Sequence, residues 1–193
     1  MQAVRQHLHD KGHEAPVHLL ALSLGGMVAL EWASHFPEEV AGMVLINSSL
    51  ATLAPFWKRL RPGNYAMVLQ LLRADMARRE ALILQATSNR LDRQQSALPD
   101  WVAWQEQVPV SRQNLLRQLW AAARFRPPPA WPVCPALVVS SLGDRIAHPD
   151  CSQALADCTG WPLASHPTAG HDLPLDEPQW LANTVSLWQQ SIR

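Results

Sequence analysis

Apolar positions along the chain form four short continuous runs, each with the length of a buried β-strand. Runs without polar alternation are typical of parallel strands that helices cover on both faces. A helical pattern follows the first run, and another closes the chain. This order predicts an α/β fold with a parallel sheet and helices on both of its faces. The runs are residues 17–22, 40–46, 137–140 and 163–166, and the two helices are residues 24–36 and 177–192.

A long segment between the second and third runs has a different pattern. Residues 53–130 show helical spacing, for example over 65–85, and contain no run of the buried-strand type. Three prolines at 127–129 end the segment as a stiff linker. We therefore predict a core formed by residues 1–52 and 131–193, into which residues 53–130 insert a helical cap.

The composition is that of a globular protein whose charges are unevenly distributed. Of the 193 residues 48% are hydrophobic and 17% are charged, and the formal net charge is zero. Residues 55–130 nevertheless hold 12 of the 16 basic but only 5 of the 16 acidic side chains. These basic residues either attract an acidic partner or hold the cap on its own acidic core. No nucleic-acid recognition motif accompanies them, so nucleic acid is not an expected partner.

Several other classes of protein are not indicated by the sequence. No apolar stretch approaches the roughly 18–20 residues of a membrane span, and the polar N-terminus is unlike a signal peptide. We therefore expect a cytoplasmic protein without a membrane partner. The three cysteines form no CxxC pair and the eight histidines form no HExxH pattern, so no metal or cofactor is expected.

The first strand passes into the first long helix at a serine. The sequence Ala21-Leu22-Ser23-Leu24-Gly25 approximates the G-x-S-x-G pattern of a nucleophile elbow, with Ala21 in place of the first glycine. Small residues are needed there because the backbone of so tight a turn nearly touches itself. The alternative is that Ser23 only caps the helix, which serine does well.

A serine nucleophile needs a base and an acid that orients the base. Asp144 follows the third predicted strand, and His171 lies in a loop before the closing helix. Both would reach the carboxyl edge of the sheet, where sites of open parallel sheets form. Asp150 competes with Asp144 but suits the first turn of a helix. The histidines that compete with His171 are His166, at a strand end, and His148, at the rim.

The order serine, aspartate, histidine is that of the α/β-hydrolase triad. The chain resembles an α/β-hydrolase of the esterase or acyl-hydrolase type in the segments ALSLGGMVALEWASHFPEEVAGMVLINSS, CPALVVSSLGDRIAHPD and AGHDLPLDEPQW. Its basic cap is similar to that of the group that acts on pimeloyl-acyl carrier protein methyl ester. The resemblance implies a small acyl ester or thioester substrate. The similarity to the pimeloyl-acyl carrier protein group implies that an acidic carrier protein presents this substrate.

The same resemblance implies a role for each site residue. Ser23 would attack the acyl carbonyl, His171 would act as general base, and Asp144 would orient His171. The backbone N–H of Leu24 would stabilise the oxyanion. Asn47 occupies a position where some relatives carry the acid, and an amide cannot serve as that acid. The cap is rich in apolar residues that suit an acyl-binding pocket or the core of the cap itself; they include Trp57, Trp101, Trp104 and Trp120.

The resemblance also implies strands that this sequence does not contain. Residues 1–193 match about the last two-thirds of such a hydrolase, and a loop that gives the second oxyanion donor would precede them. The leading hypothesis is a serine hydrolase that cleaves a carboxylic ester or thioester. The alternative is a non-catalytic or truncated hydrolase-like fragment that acts as a binding or assembly module.

Overall fold

A four-stranded parallel sheet forms the centre of the computed structural model, which describes residues 1–13 and 16–192. The strands pair in chain order, each with the next, so that the sheet reads β1-β2-β3-β4. The predicted α/β class with a parallel sheet is confirmed. The strands are β1 (Val17–Leu22), β2 (Val40–Ile46), β3 (Ala136–Ser141) and β4 (Leu163–His166).

Helices occupy most of the remaining chain within the described residues. The predicted helix over 65–85 is wrong as a single element, because it ends at Leu71 and restarts at Met76. The Asp75 carboxylate accepts a hydrogen bond from the Arg78 N–H at 2.8 Å and so caps the second helix. The α-helices are α1 (Gln2–Asp10), α2 (Leu24–His35), α3 (Phe56–Arg59), α4 (Tyr65–Leu71), α5 (Met76–Thr87), α6 (Leu91–Gln107), α7 (Arg112–Arg124), α8 (Asp150–Thr159), α9 (Leu173–Asp176) and α10 (Pro178–Ser191).

The sheet has an apolar layer on each face. Alternate residues of β2 point to opposite faces, so Met43 and Leu45 join one cluster while Val44 and Ile46 join the other. Helices α2 and α8 cover the first face, and α10 covers the second. Burial on both faces explains why the two central strands, β2 and β3, read as continuous apolar runs. The expectation that β1 is buried on both faces is wrong, because β1 is an edge strand of the described sheet and its Leu20 is 60% exposed.

The carboxyl ends of the four strands lie together at one edge of the sheet. The Ser23 N–H donates to the Ile46 carbonyl at 2.8 Å, and the Asn47 N–H donates to the Val139 carbonyl at 2.9 Å. The Leu142 N–H donates to the His166 carbonyl at 2.9 Å. The loops that leave these strands therefore start side by side, which brings residues far apart in sequence to one place.

The chain between β2 and β3 is helical. Residues 53–130 are all described, and they contain α3 to α7 and no strand. The guanidinium of Arg59, the last residue of α3, donates to the carbonyls of Ala122 and Ala123 near the C-terminus of α7. None of the helices in the described part of the chain combines the length and apolarity needed to cross a bilayer.

Candidate active site

Ser23 lies on a strained turn between β1 and α2. Its φ is 54° and its ψ is −115°, a backbone conformation that is costly for any residue with a side chain. The described residues show no side-chain hydrogen bond from Ser23 to the first turn of α2. The alternative that the serine serves only as a helix cap is therefore not what this geometry shows.

Small residues make room for the turn. A Cβ atom built on Gly26 would lie 2.0 Å from the Ser48 Oγ, so glycine is required where α2 crosses the end of β2. A Cβ built on Gly25 would lie 3.8 Å from the Ala21 Cβ, which is ordinary van der Waals contact. The methyl group that replaces the usual first glycine of the elbow therefore fits without a clash.

Leu24 is the first residue of α2. The first N–H groups of a helix have no intrahelical acceptor and lie at the positive end of its dipole. The Leu24 N–H thus lies beside Ser23 with the chemistry that an oxyanion donor needs, and its role there remains a prediction.

Asp144 and His171 form a buried pair. The His171 Nδ1 lies 2.7 Å from the Asp144 Oδ2, and the two side chains are 8% and 2% exposed. The other carboxylate oxygen accepts hydrogen bonds from the N–H groups of Ile146 and Ala147 at 2.7 and 3.0 Å. The carboxylate is therefore fixed on both sides, and the imidazole has its Nε2 left for a second partner.

Asn47 connects the loops around this pair, a role that the sequence analysis did not foresee. Its side-chain amide donates to the His171 carbonyl at 2.8 Å and to the Ser141 Oγ at 3.0 Å, and its oxygen accepts from the Ser141 N–H at 2.8 Å. Asn47 has a φ of 48°, which asparagine tolerates better than most residues. The only signal in the sequence was a polar residue at the end of a buried strand.

The competing acid and bases lie elsewhere. Asp150 is half exposed and pairs with Lys58 at 2.6 Å and with His148 at 3.2 Å. The His166 Nδ1 accepts from the Ala169 N–H at 3.0 Å, and its ring packs edge-on against Trp180. None of these four contacts involves Ser23, Asp144 or His171.

Ser23 and the Asp144–His171 pair share the sheet edge but are not directly bonded. Across the described ranges, the hydrogen bonds of the His171 ring include that to Asp144 and none to the Ser23 hydroxyl. Contacts between base and nucleophile are often long without substrate and shorten in the reacting complex. The structure therefore joins Asp144 to His171 and places Ser23 separately.

Ser23 opens into an apolar cavity of about 550 Å³. Helix α7 contributes to the lining, which includes Trp120 but not Trp57, Trp101 or Trp104. Trp101 and Trp104 line a different cavity with Glu80, and Trp57 packs edge-on against Phe56. The sequence left each tryptophan open between an acyl pocket and the core of the cap, and Trp120 is the one of the four that lines this cavity. It is accompanied there by three leucines of α7. These are Leu115, Leu116 and Leu119.

Two charged groups near the site have shifted pKa values. Burial lowers the pKa of the Arg59 guanidinium, which lines the cavity. Burial raises the pKa of the Asp172 carboxyl next to His171, while a hydrogen bond from the Leu175 N–H opposes that shift. In the part of the chain that is described, no three His, Cys, Asp or Glu side chains converge as metal ligands would.

Comparison with known proteins shows the family of the chain. The model of the Alpha/beta hydrolase family matches residues 2–184, and the chain belongs to that family. RutD of Cronobacter sakazakii, described as a candidate carbamate hydrolase, is 30% identical over 139 residues. That match covers 71% of this chain and 51% of RutD, so the chain spans about half the length of that relative.

Solved structures share the fold at low sequence identity. A hydrolase from Pseudomonas aeruginosa superposes with a TM-score of 0.72 at 22% identity, over 97% of this chain and 69% of that one. A thermophilic esterase from Thermogutta terrifontis superposes with a TM-score of 0.71 at 18% identity, over 96% and 68%. These likenesses show the fold, and the chemistry of this chain has to be argued from its own site.

Proposed function

We propose that the protein is a serine hydrolase that cleaves a carboxylic ester or thioester through an acyl-enzyme on Ser23. The observation that carries the proposal is the strained Ser23 at the same sheet edge as the buried Asp144–His171 pair. Strain of this kind persists where the surrounding structure enforces it, and it clusters at active sites.

The proposed reaction has two halves. The Ser23 Oγ attacks the acyl carbonyl while the His171 Nε2 takes the hydroxyl proton, and the oxyanion accepts a hydrogen bond from the Leu24 N–H. The imidazolium then donates that proton to the leaving alcohol or thiol as the carbon–oxygen or carbon–sulfur bond breaks. In the second half His171 takes a proton from water as the water oxygen attacks the acyl carbon. The imidazolium then returns that proton to the Ser23 Oγ as the bond between Oγ and the acyl carbon breaks, which releases the acid. Asp144 stays ionised and holds the Nδ1–H.

The cavity favours an apolar acyl group. Its wall of leucines, Trp120 and the methyl groups of α7 offers contact area rather than hydrogen bonds. A volume of about 550 Å³ falls in the range of small-molecule sites. An acyl chain attached at Ser23 would enter it directly, because Ser23 is part of the lining.

The partner that we propose is an acidic carrier protein. Two ion pairs join the 53–130 segment to the rest of the described chain, Lys58–Asp150 and Arg90–Glu177. Arginines on α7, the helix over the cavity, are instead exposed and make no ion pair in the described residues; they are Arg112, Arg117 and Arg124. This charge lies on exposed positions of a helix that lines the cavity and is not paired with acidic residues of the core, which supports a steering role over one confined to docking the segment. Charge reversal by Arg117→Glu should lower kcat/KM for a carrier-bound acyl thioester and leave that for a neutral p-nitrophenyl ester unchanged.

Covalent labelling tests the nucleophile. A fluorophosphonate should add one mass adduct to the 193-residue chain and none to Ser23→Ala, whereas Ser34→Ala on the same helix should label normally. Hydrolysis of p-nitrophenyl butyrate, an acyl-coenzyme A thioester and an N-alkyl carbamate then separates the substrate classes. A folded protein that neither labels nor hydrolyses any of them supports the alternative of a binding or assembly module. Labelling of Ser23→Ala would refute the proposal.

A further inference from the structure

A short segment of the helical insertion touches both loops that carry the acid and the base. Residues 87–89 comprise the last residue of α5 and the first two residues of the turn that leads to α6. The Asn89 side-chain amide donates to the Gly143 carbonyl at 3.0 Å and to the Thr168 carbonyl at 2.9 Å. Gly143 directly precedes Asp144, and Thr168 lies three residues before His171, so a single amide joins the two loops.

The same segment holds the backbone on each side of His171. On one side, the Asp172 N–H donates to the Thr87 carbonyl at 2.9 Å. On the other side, the Gly170 N–H donates to the Asp176 carboxylate at 2.7 Å. Asp176 is 1% exposed and also accepts hydrogen bonds from the Ser88 Oγ at 2.5 Å and the Asn89 N–H at 2.9 Å. The position of His171 thus depends on residues of the insertion.

The backbones of the two loops approach residues 87–89 so closely that there is no room for a side chain at Gly143 or Gly170. A Cβ atom built on Gly170 would lie 2.4 Å from the Thr87 carbonyl oxygen. One built on Gly143 would lie 2.7 Å from the Asn89 Nδ2 and 2.6 Å from the Thr168 carbonyl oxygen. Both glycines are therefore needed for the backbone to approach residues 87–89 this closely.

We propose that Asn89 is a positioning residue that keeps His171 aligned with Asp144, and that Asp176 and Ser88 fix the segment that carries it. The inference rests on the proposed function for its kinetic consequence, but its geometric part concerns the Asp144–His171 hydrogen bond alone. Asn89 touches neither Ser23 nor the cavity lining, so it acts through the two loops.

Substitution of the exposed Asn89 side chain tests the proposal in the full chain. Asn89→Asp keeps the size of the side chain, removes both N–H donors and sets a carboxylate against two carbonyl oxygens. We expect kcat for p-nitrophenyl butyrate to fall about 10- to 100-fold, with KM within about threefold, because small displacements of a catalytic group are costly. Asn89→Gln keeps the amide and should recover more activity than Asn89→Ala. Asn183→Ala on α10, which also loses an exposed amide contact, is the matched control and should retain full activity.

A spectroscopic measurement separates this inference from the proposed function. The hydrogen-bonded Nδ1 proton of His171 should give a downfield proton resonance that disappears in Asp144→Asn and is broadened or shifted in Asn89→Asp. If Ser23→Ala leaves hydrolysis unchanged, the proposed function fails while this measurement still decides the positioning role. Asn89→Asp that lowers the melting temperature but leaves kcat and the resonance unchanged would overturn the proposal, because the amide would then only hold the insertion in place.

Discussion

Two buried carboxylates at the carboxyl edge of the sheet, Asp144 in a loop and Asp176 at the end of α9, are well hydrogen-bonded, whereas a buried carboxylate in the helical insertion is not. Asp144 and Asp176 are each 1% exposed, and each takes part in three hydrogen bonds. Glu80 on α5 is 4% exposed and accepts no hydrogen bond from the described residues, although the Arg79 Nε lies 3.5 Å from its Oε1. A buried charge without donors is costly.

The difference indicates how each region is specified. Polar contacts with directional geometry define the loops, which have to hold an acid and a base within hydrogen-bond reach of each other. The wall of the insertion over Ser23 is defined mainly by apolar packing, which tolerates exchange of side chains of similar volume. We therefore expect polar substitutions in the loops, and at residues 87–89 that bind them, to affect the chemistry. Substitutions elsewhere in the insertion should affect substrate range and stability.

The largest effect is expected at Asp144. Asp144→Asn keeps the shape of the side chain but presents the wrong partner to the His171 Nδ1–H, and kcat should fall about 10⁴-fold. Asp150→Asn removes the exposed competing acid and should change kcat less than twofold. Equal losses in the two variants, measured with p-nitrophenyl butyrate, would mean that the acid has been misassigned.

Asn47 comes next, because its side chain joins three parts of the loop region. Asn47→Ala leaves the buried Ser141 N–H without its acceptor and should lower the free energy of unfolding by about 1–3 kcal/mol. Asn47→Gly removes the same hydrogen bonds but accommodates a φ of 48°, so it should be less destabilising than the alanine variant. Urea unfolding of both variants measures the free energy lost with the hydrogen bonds and the part that comes from the strain of the positive φ. A glycine variant that is the less stable of the two would show that the positive φ imposes no strain.

Substitutions in the wall that the insertion forms over Ser23 should change which ester chain lengths the protein accepts. Trp120→Ala enlarges the cavity at Ser23 and should raise KM for a long-chain p-nitrophenyl ester about tenfold, with little change for the acetate ester. Trp104→Ala alters the separate cavity on α6 and should affect neither substrate. An equal loss on acetate and long-chain esters in Trp120→Ala would place the residue in the alignment of the site rather than in acyl binding.

The sequence predicted the elements better than the contacts between them. Strands β2 and β3 were recognisable because burial on both faces leaves continuous apolar runs, and α2 because an apolar helical pattern follows β1. Asp144 was recognisable because it follows such a run, and His171 because it lies in the loop before the closing helix. The roles of Asn47 and Asn89 could not be predicted from the sequence, since each side chain binds residues more than 50 positions away, partly through main-chain carbonyls. The sequence left the placement of the four tryptophans open for a similar reason, because helical spacing does not reveal which neighbour a helix face meets.

The smallest expected effect is the change in the free energy of unfolding when Glu80 is neutralised. We expect a gain in stability there, whereas loss of a polar contact in the loops should destabilise the protein. Burial raises the pKa of the Glu80 carboxyl, while Arg79 opposes that shift. The folded state therefore binds this proton more tightly than the unfolded state. The stability that this group contributes is fully present below its unfolded pKa and is lost as the pH rises through its folded pKa.

Glu80→Gln should consequently raise the free energy of unfolding at pH 7 by about 1 kcal/mol. The gain should disappear below about pH 4, where the wild-type carboxyl is also neutral. Glu106→Gln on the exposed surface of α6 is the control and should change stability by less than about 0.5 kcal/mol. A loss of stability at pH 7 in Glu80→Gln would mean that the Arg79 contact outweighs desolvation, and that the insertion, like the loops, depends on a specific polar contact.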